Sequence, residues 1–221
     1  LKSKIIRAIE ELNYEVDPVA RSLKSKKTMT IGVVITSINR IFFPQVIKGI
    51  QDSASKYGYN LTFCNSNDNF GEEKRFIQML ENTWVDGIIL DSVAEAGDKE
   101  YFKYLSSLGN RKKSIPVVTL ERRLGDSEAG SVVVNNYEGA GMAVKHLIEA
   151  GCNKIAHITG PVNSCIVQDR LAGYRSELVK NGLKTAGERI VEGDFSPLSG
   201  YLAMKKMLQA GTETDGVFAA N

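Results

Sequence analysis

Ile31-Gly32-Val33-Val34-Ile35 is apolar or glycine at every position and too short to be a helix of ordinary length. A β-strand facing solvent alternates apolar and polar residues, whereas a strand buried on both faces reads as a continuous apolar run, as the strands of parallel sheets do. Similar runs recur along the chain at Asn60-Leu-Thr-Phe-Cys64, Asp86-Gly-Ile-Ile-Leu90, Pro116-Val-Val-Thr-Leu120, Lys154-Ile-Ala-His-Ile158, Arg189-Ile-Val191 and Gly216-Val-Phe-Ala-Ala220. Helical patterns separate them. Val46, Ile47, Ile50, Ala54 and Tyr57 share one helix face, and Ala143, Val144, Leu147 and Ile148 another. Gly58, Gly109, Gly151, Gly182 and Gly211 stand where these helices should stop. Alternating strands and helices predict an α/β fold with doubly wound parallel sheets.

The number of units predicts two lobes. About four strands precede Gly151 and a new series begins at Lys154, which divides the core into residues 29–151 and an incomplete 152–221. In open α/β sheets ligands sit beyond the carboxyl ends of the strands, so two facing lobes make a cleft.

Residues 1–28 read differently. Leu1, Ile5, Ile6, Ala8, Ile9 and Leu12 form an amphipathic helix ending at Asn13-Tyr14, after which Asp17-Pro18 has the form of an N-cap followed by a first-turn proline. The helix begun there is too short to be stable without a partner. Residues 1–30 carry seven Lys or Arg against four acids, and Arg21, Lys24, Lys26 and Lys27 occur with no acid among them. Such a run either neutralises phosphates or is a solvated linker.

Composition excludes several classes. With 43% hydrophobic and 24% charged residues and a net charge of +2, the chain is an ordinary globular one, and no apolar run approaches the roughly 20 residues that span a bilayer. Cys64, Cys152 and Cys165 have neither disulfide nor metal spacing and read as reduced, buried thiols of a cytoplasmic protein. His146 falls in a helical pattern and His157 in an apolar run, so both read as structural. No phosphate loop, nucleophile elbow or metal-spaced cluster is present, and Gly139-Ala-Gly141 lacks the third glycine of a nucleotide fingerprint. No enzyme activity and no cofactor are expected.

Ala8-Ile9-Glu10-Glu11-Leu12-Asn13-Tyr14, Val19-Ala20-Arg21-Ser22-Leu23 and Thr30-Ile31-Gly32-Val33-Val34 follow one another in the order found in LacI/GalR transcription repressors. Asp86-Gly-Ile-Ile-Leu90, Ile115-Pro-Val-Val118, Glu138-Gly-Ala-Gly141, Ile158-Thr-Gly-Pro161, Arg170-Leu-Ala-Gly-Tyr174 and Gly193-Asp-Phe-Ser196 continue the resemblance to the end of the chain. It implies two lobes of periplasmic-binding-protein type, preceded by the remnant of a helix-turn-helix headpiece and a hinge helix. About 30 residues carrying the major-groove reader are expected to precede Leu1.

The resemblance gives Val19, Ala20, Arg21 and Leu23 to DNA, with the leucine wedged into a base step of the minor groove. Val19 and Leu23, at i and i+4, otherwise pack on the headpiece or sensor. For a small-molecule effector, a sugar ahead of a purine, it gives Phe42, Phe43, Asp91, Glu121, Ser164, Arg170, Phe195 and Asn221. Five of them have a structural alternative: core or helix staple for Phe42 and Phe43, a salt bridge to Arg122 or Arg123 for Glu121, a pair with Asp169 or Glu177 for Arg170, and a loop anchor for Phe195. Relatives commonly carry aspartate where this chain has Glu121. The remaining implied partners are operator DNA and a second copy of the chain. The rival reading is an extracytoplasmic sugar receptor of a transporter, which shares the architecture and differs at the amino end.

Overall fold

The computed structural model describes residues 25–94, 98–109, 114–122 and 130–221, with residues 2, 7, 11, 12 and 22 in addition. The readings at Asp17, Pro18, Val19, Ala20, Arg21 and Leu23 lie outside the described residues.

The chain runs β1 (Thr30–Ile35), α1 (Phe42–Lys56), β2 (Asn60–Asn65), α2 (Phe70–Asn82), β3 (Gly87–Asp91), α3 (Lys99–Leu108), β4 (Val117–Leu120), β5 (Gly130–Val132), α4 (Asn136–Glu149), β6 (Ile155–Thr159), α5 (Cys165–Lys180), β7 (Ile190–Glu192), α6 (Pro197–Gln209) and β8 (Gly216–Ala219). Two parallel sheets result, ordered β2-β1-β3-β4-β5 and β7-β6-β8. The seven predicted strands are all present. β5 was not predicted; it is a strand of only three residues, all exposed.

The run that opened the sequence reading behaves as a strand covered on both sides. Val34 packs with Ile77, Leu80 and Leu105 of α2 and α3, while its neighbours Val33 and Ile35 pack with Phe43, Ile47 and Ile50 of α1. All three valine and isoleucine side chains are fully buried. Helix starts follow from capping: Asn69, Asn135 and Ser196 accept from the backbone N–H of Glu72, Glu138 and Ser199, satisfying donors that a helix's first turn leaves free. Gly58, Gly151, Gly182 and Gly211 end helices with φ between 68° and 96°, a region costly for other residues. Gly109 stops α3 in right-handed backbone instead. Tyr57, assigned by spacing to the buried face of α1, lies past the helix end and is exposed.

The division after residue 151 requires correction. Val144 of α4, with Leu147 and Ile148 beside it, packs against Ile155, Tyr174 and Leu178 of the second lobe. Gly173 of α5 lies so close that a Cβ there would stand 2.1 Å from the carbonyl oxygen of Tyr137, and Tyr137 Oη donates to Ser176 Oγ at 2.7 Å. The chain therefore passes from the first lobe to the second at residues 133–135, between β5 and α4. Amphipathic spacing shows that α4 has an apolar face but not which sheet covers it.

The three cysteines are free, yet only Cys64 is buried; Cys152 is half-buried and Cys165 exposed. Flanking apolar residues misled here, because Cys165 occupies the first turn of α5.

Candidate functional site: the cleft at the strand ends

The carboxyl ends of β1, β3 and β4 bring Thr36, Asp91 and Glu121 to one edge of the first lobe; those of β6 and β8 bring Gly160 and Asn221 to the facing edge of the second. Asp91 is 4% exposed and accepts a hydrogen bond from Thr36 Oγ1 at 2.6 Å. Burial pushes its carboxyl up to about 6, against the Thr36 hydrogen bond and the guanidiniums of Arg122 and Arg40. Arg40 in turn donates to Thr36 Oγ1 at 3.0 Å and to Asp68 Oδ1 at 2.7 Å. Asp91 is thus engaged within its own lobe.

Arg170 projects from α5 and is held by two acceptors of the second lobe. Its Nε donates to Asn136 Oδ1 at 2.8 Å and its Nη1 to the carbonyl of Ala220. Its Nη2 lies 3.9 Å from Glu121 Oε2, on the other lobe. Among the described residues, Arg170 pairs with neither Asp169 nor Glu177, and Glu121 does not pair with Arg122. Glu177 pairs with Lys180, and Arg122 donates to the Ala94 carbonyl at 2.5 Å. Arg123 lies outside the described residues. Burial depresses the Arg170 guanidinium, and the Glu121 charge opposes this.

Phe195 lies against Gly160, where a Cβ would come within 2.1 Å of the ring. The Arg40 guanidinium stands 5.0 Å above the ring centroid from the opposite lobe, within cation–π range, and Asn221 Nδ2 donates to the Phe195 carbonyl at 3.1 Å. Glu121 and Phe195 have φ values of 64° and 67°, left-handed backbone that non-glycine residues adopt only where the surroundings impose it. Ser164 caps α5 without a side-chain hydrogen bond and is 8% exposed.

Four candidate residues, Glu121, Arg170, Phe195 and Asn221, are thereby joined across or along the cleft. Phe43 is not among them: its ring is 3% exposed in the core with Val33 and Ile35, edge-on to Phe42 at 5.4 Å, so the core reading describes it. Phe42 keeps half its surface exposed. Sequence reasoning missed Thr36, Arg40, Asn136 and Gly160. Thr36 was within reach, because it directly follows a predicted strand on the ligand side of the sheet.

His157 is a core residue, sealed between Phe218 at 4.5 Å and Tyr174 at 5.1 Å, with Nδ1 2.8 Å from the Phe218 carbonyl. Burial pushes it down to about 4, leaving it neutral. His146 is exposed near the end of α4. Among the described residues no His, Cys, Asp and Glu cluster has metal-binding geometry, and no helix is long and apolar enough to cross a membrane.

Residues 28–221 match the family of periplasmic binding proteins and sugar-binding domains of LacI type. The chain belongs to the LacI/GalR family. Over 98% of its length this LacI-family chain is 33% identical to the ribose operon repressor of Halalkalibacterium halodurans, covering 61% of that protein. It is 30% identical over its whole length to the transcriptional repressor PurR of Vibrio campbellii, covering 64% of it. The chain therefore spans somewhat under two thirds of these relatives. Among solved structures, 87% of it superposes on a sugar-binding LacI-family regulator of Escherichia coli bound to phosphate, with TM-score 0.69, 26% identity and 68% of that chain covered. The regulator CcpA of Lactococcus lactis superposes on 86% of it with TM-score 0.71, 27% identity and 67% coverage, and a CelR–cellobiose complex on 97% with TM-score 0.71, 27% identity and 63% coverage.

Proposed function

We propose that the chain is the sensing core and hinge of an effector-responsive, DNA-binding transcription repressor. The observation that carries this is the Arg170 guanidinium, fixed by Asn136 and Ala220 in one lobe and facing Glu121 of the other. A rigid donor fork between two mobile halves is suited to a ligand rich in oxygen acceptors. Glu121, Phe195 and Asn221 complete the contact set, with Phe42, Asp91 and Ser164 at its margin. A sugar fits the apolar face of Phe195 and the hydroxyl-binding groups together. The family description and the cellobiose held by CelR support that class ahead of a purine.

Residues 1–28 supply the DNA-binding part, with Val19, Ala20, Arg21 and Leu23 meeting the minor groove. The match to a repressor over the whole chain, amino-terminal segment included, supports this over a transporter receptor. The protein acts in the cytoplasm as a homodimer and catalyses nothing. Exposed apolar residues just before α1 (Ile41) and on α6 (Leu198, Tyr201, Leu202) support pairing of both lobes between copies. Effector binding changes the angle between lobes, and with it the separation of the two hinges.

The test is a thermal-shift screen of the full-length protein against sugars, sugar phosphates and purines. A ligand at about a hundred times its dissociation constant adds about 2.7 kcal/mol. Calorimetry with and without operator then checks reciprocity: an effector affinity indifferent to DNA rejects the allosteric reading.

A further inference from the structure

β1 and β3 are adjacent parallel strands, paired from Ile31 and Gly87 to Val34 and Leu90. At the cleft they are joined by the Thr36–Asp91 hydrogen bond. At the opposite end, where the basic segment meets the core, a second threonine and aspartate join them. Asp86 Oδ1 accepts from Thr28 N at 2.9 Å and from Thr28 Oγ1 at 3.2 Å, and Asp86 Oδ2 accepts from Met29 N at 3.0 Å. Thr28 Oγ1 also lies 3.0 Å from the Trp84 carbonyl, and Asp86 N donates to Thr30 O at 2.8 Å.

The backbone around Asp86 is strained. Lys26, Met29 and Trp84 have φ values of 55°, 52° and 61°. Non-glycine residues hold such conformations only where other contacts over-determine them; the Asp86 carboxylate supplies one at Met29 N, and Thr28 Oγ1 reaches the Trp84 carbonyl. A charged acceptor receiving three donors forms stronger bonds than a neutral one does.

We propose that Asp86 is a positioning residue that ties the orientation of the basic segment to the state of the cleft. The inference rests on the repressor reading above for its purpose, though not for its geometry. Along β3 the two links, at Asp86 and Asp91, lie about 17 Å apart at roughly 3.3 Å per residue. The side chains of β1 and β3 at Val33, Val34, Ile35, Ile88 and Leu90 are buried in close packing, which resists local deformation. A displacement of one strand against the other at Thr36 and Asp91 is therefore delivered at Asp86, where it alters the support of Thr28 and Met29 and the path of Lys26 and Lys27.

The experiment needs no knowledge of the effector. Limited trypsin cleavage at the exposed Lys26 and Lys27 of the full-length protein reads the segment, and Thr36→Val breaks the cleft link. With Asp86 present, Thr36→Val is expected to change the cleavage rate by about threefold or more, the scale of coupling between linked sites. In an Asp86→Ala background, or in Asp86→Asn should the alanine variant fail to fold, that change disappears while basal cleavage rises. Thr36→Val leaving cleavage unchanged, or changing it equally without Asp86, overturns the proposal. A parallel arm adds a random-sequence duplex of about 30 base pairs at low salt. If cleavage is not slowed while the Thr36 effect and its dependence on Asp86 persist, the DNA-binding reading fails and the coupling stands.

Discussion

Thr36 Oγ1 donates to Asp91 Oδ2 at 2.6 Å, across the carboxyl ends of two neighbouring parallel strands and almost out of reach of water. One hydrogen bond does not replace the hydration of a carboxylate, and burial leaves the folded-state pKa at about 6 against an ordinary 3.8.

The sign of the consequence is definite. A carboxyl whose pKa rises on folding binds its proton more tightly in the folded state, so its stabilising effect is complete below about pH 4 and is lost as pH rises through 6. Asp91→Asn removes the buried charge and keeps an acceptor for Thr36. It is expected to raise stability by about 2–3 kcal/mol at pH 7 and by little at pH 4, as measured by denaturant unfolding at both values.

His157 has the opposite sign. Its pKa is depressed from 6.5 to about 4, so the stability it confers is present above pH 6.5 and is lost as pH falls through 4. His157→Phe keeps the aromatic stack on Phe218 and removes the titration. Its stability should lie within about 1 kcal/mol of the parent at pH 7 and exceed it by about 2 kcal/mol near pH 4. A variant that follows the parent down in acid removes His157 as the cause.

Arg170→Ala deletes the two hydrogen bonds that fix Asn136 and Ala220 and leaves Glu121 without a facing cation. The expected cost to stability is about 2–3 kcal/mol, with loss of any effector-induced thermal shift. Arg170→Lys tests the fork itself, because an ammonium supplies the charge without the planar donors. An effector response unchanged in both variants moves the site elsewhere.

Gly173→Ala would set a methyl group 2.1 Å from the Tyr137 backbone carbonyl, where no side-chain rotation relieves the clash. A loss of about 2–4 kcal/mol is expected. Gly139→Ala, on the neighbouring helix with nothing within 4 Å, should instead gain about 0.5–1 kcal/mol. Equal effects in thermal unfolding would contradict the close packing of α4 on α5.

Legibility in the sequence followed the range of the interactions. Ile31–Ile35 announced a doubly covered strand because burial on both faces leaves no polar position. The same local logic found the other long strands and the glycine stops at Gly58, Gly151, Gly182 and Gly211. Arg170 was found through a resemblance, and its partners were not, because Asn136 and Ala220 lie 34 and 50 residues away. Phe43 was ambiguous for a related reason: an aromatic residue after a strand has the same local sequence whether it turns into the core or into the cleft.

The amino-acid order alone determined the α/β class and the parallel strands, because periodicity and turn chemistry act over a few residues, and the order of motifs along the chain gave the family. Tertiary structure decided which sheet α4 covers, which carboxylate meets Arg170, and that Thr28 meets Asp86 while Thr36 meets Asp91. Those outcomes depend on where segments far apart in the chain come to rest, and close packing admits one solution that no local pattern encodes.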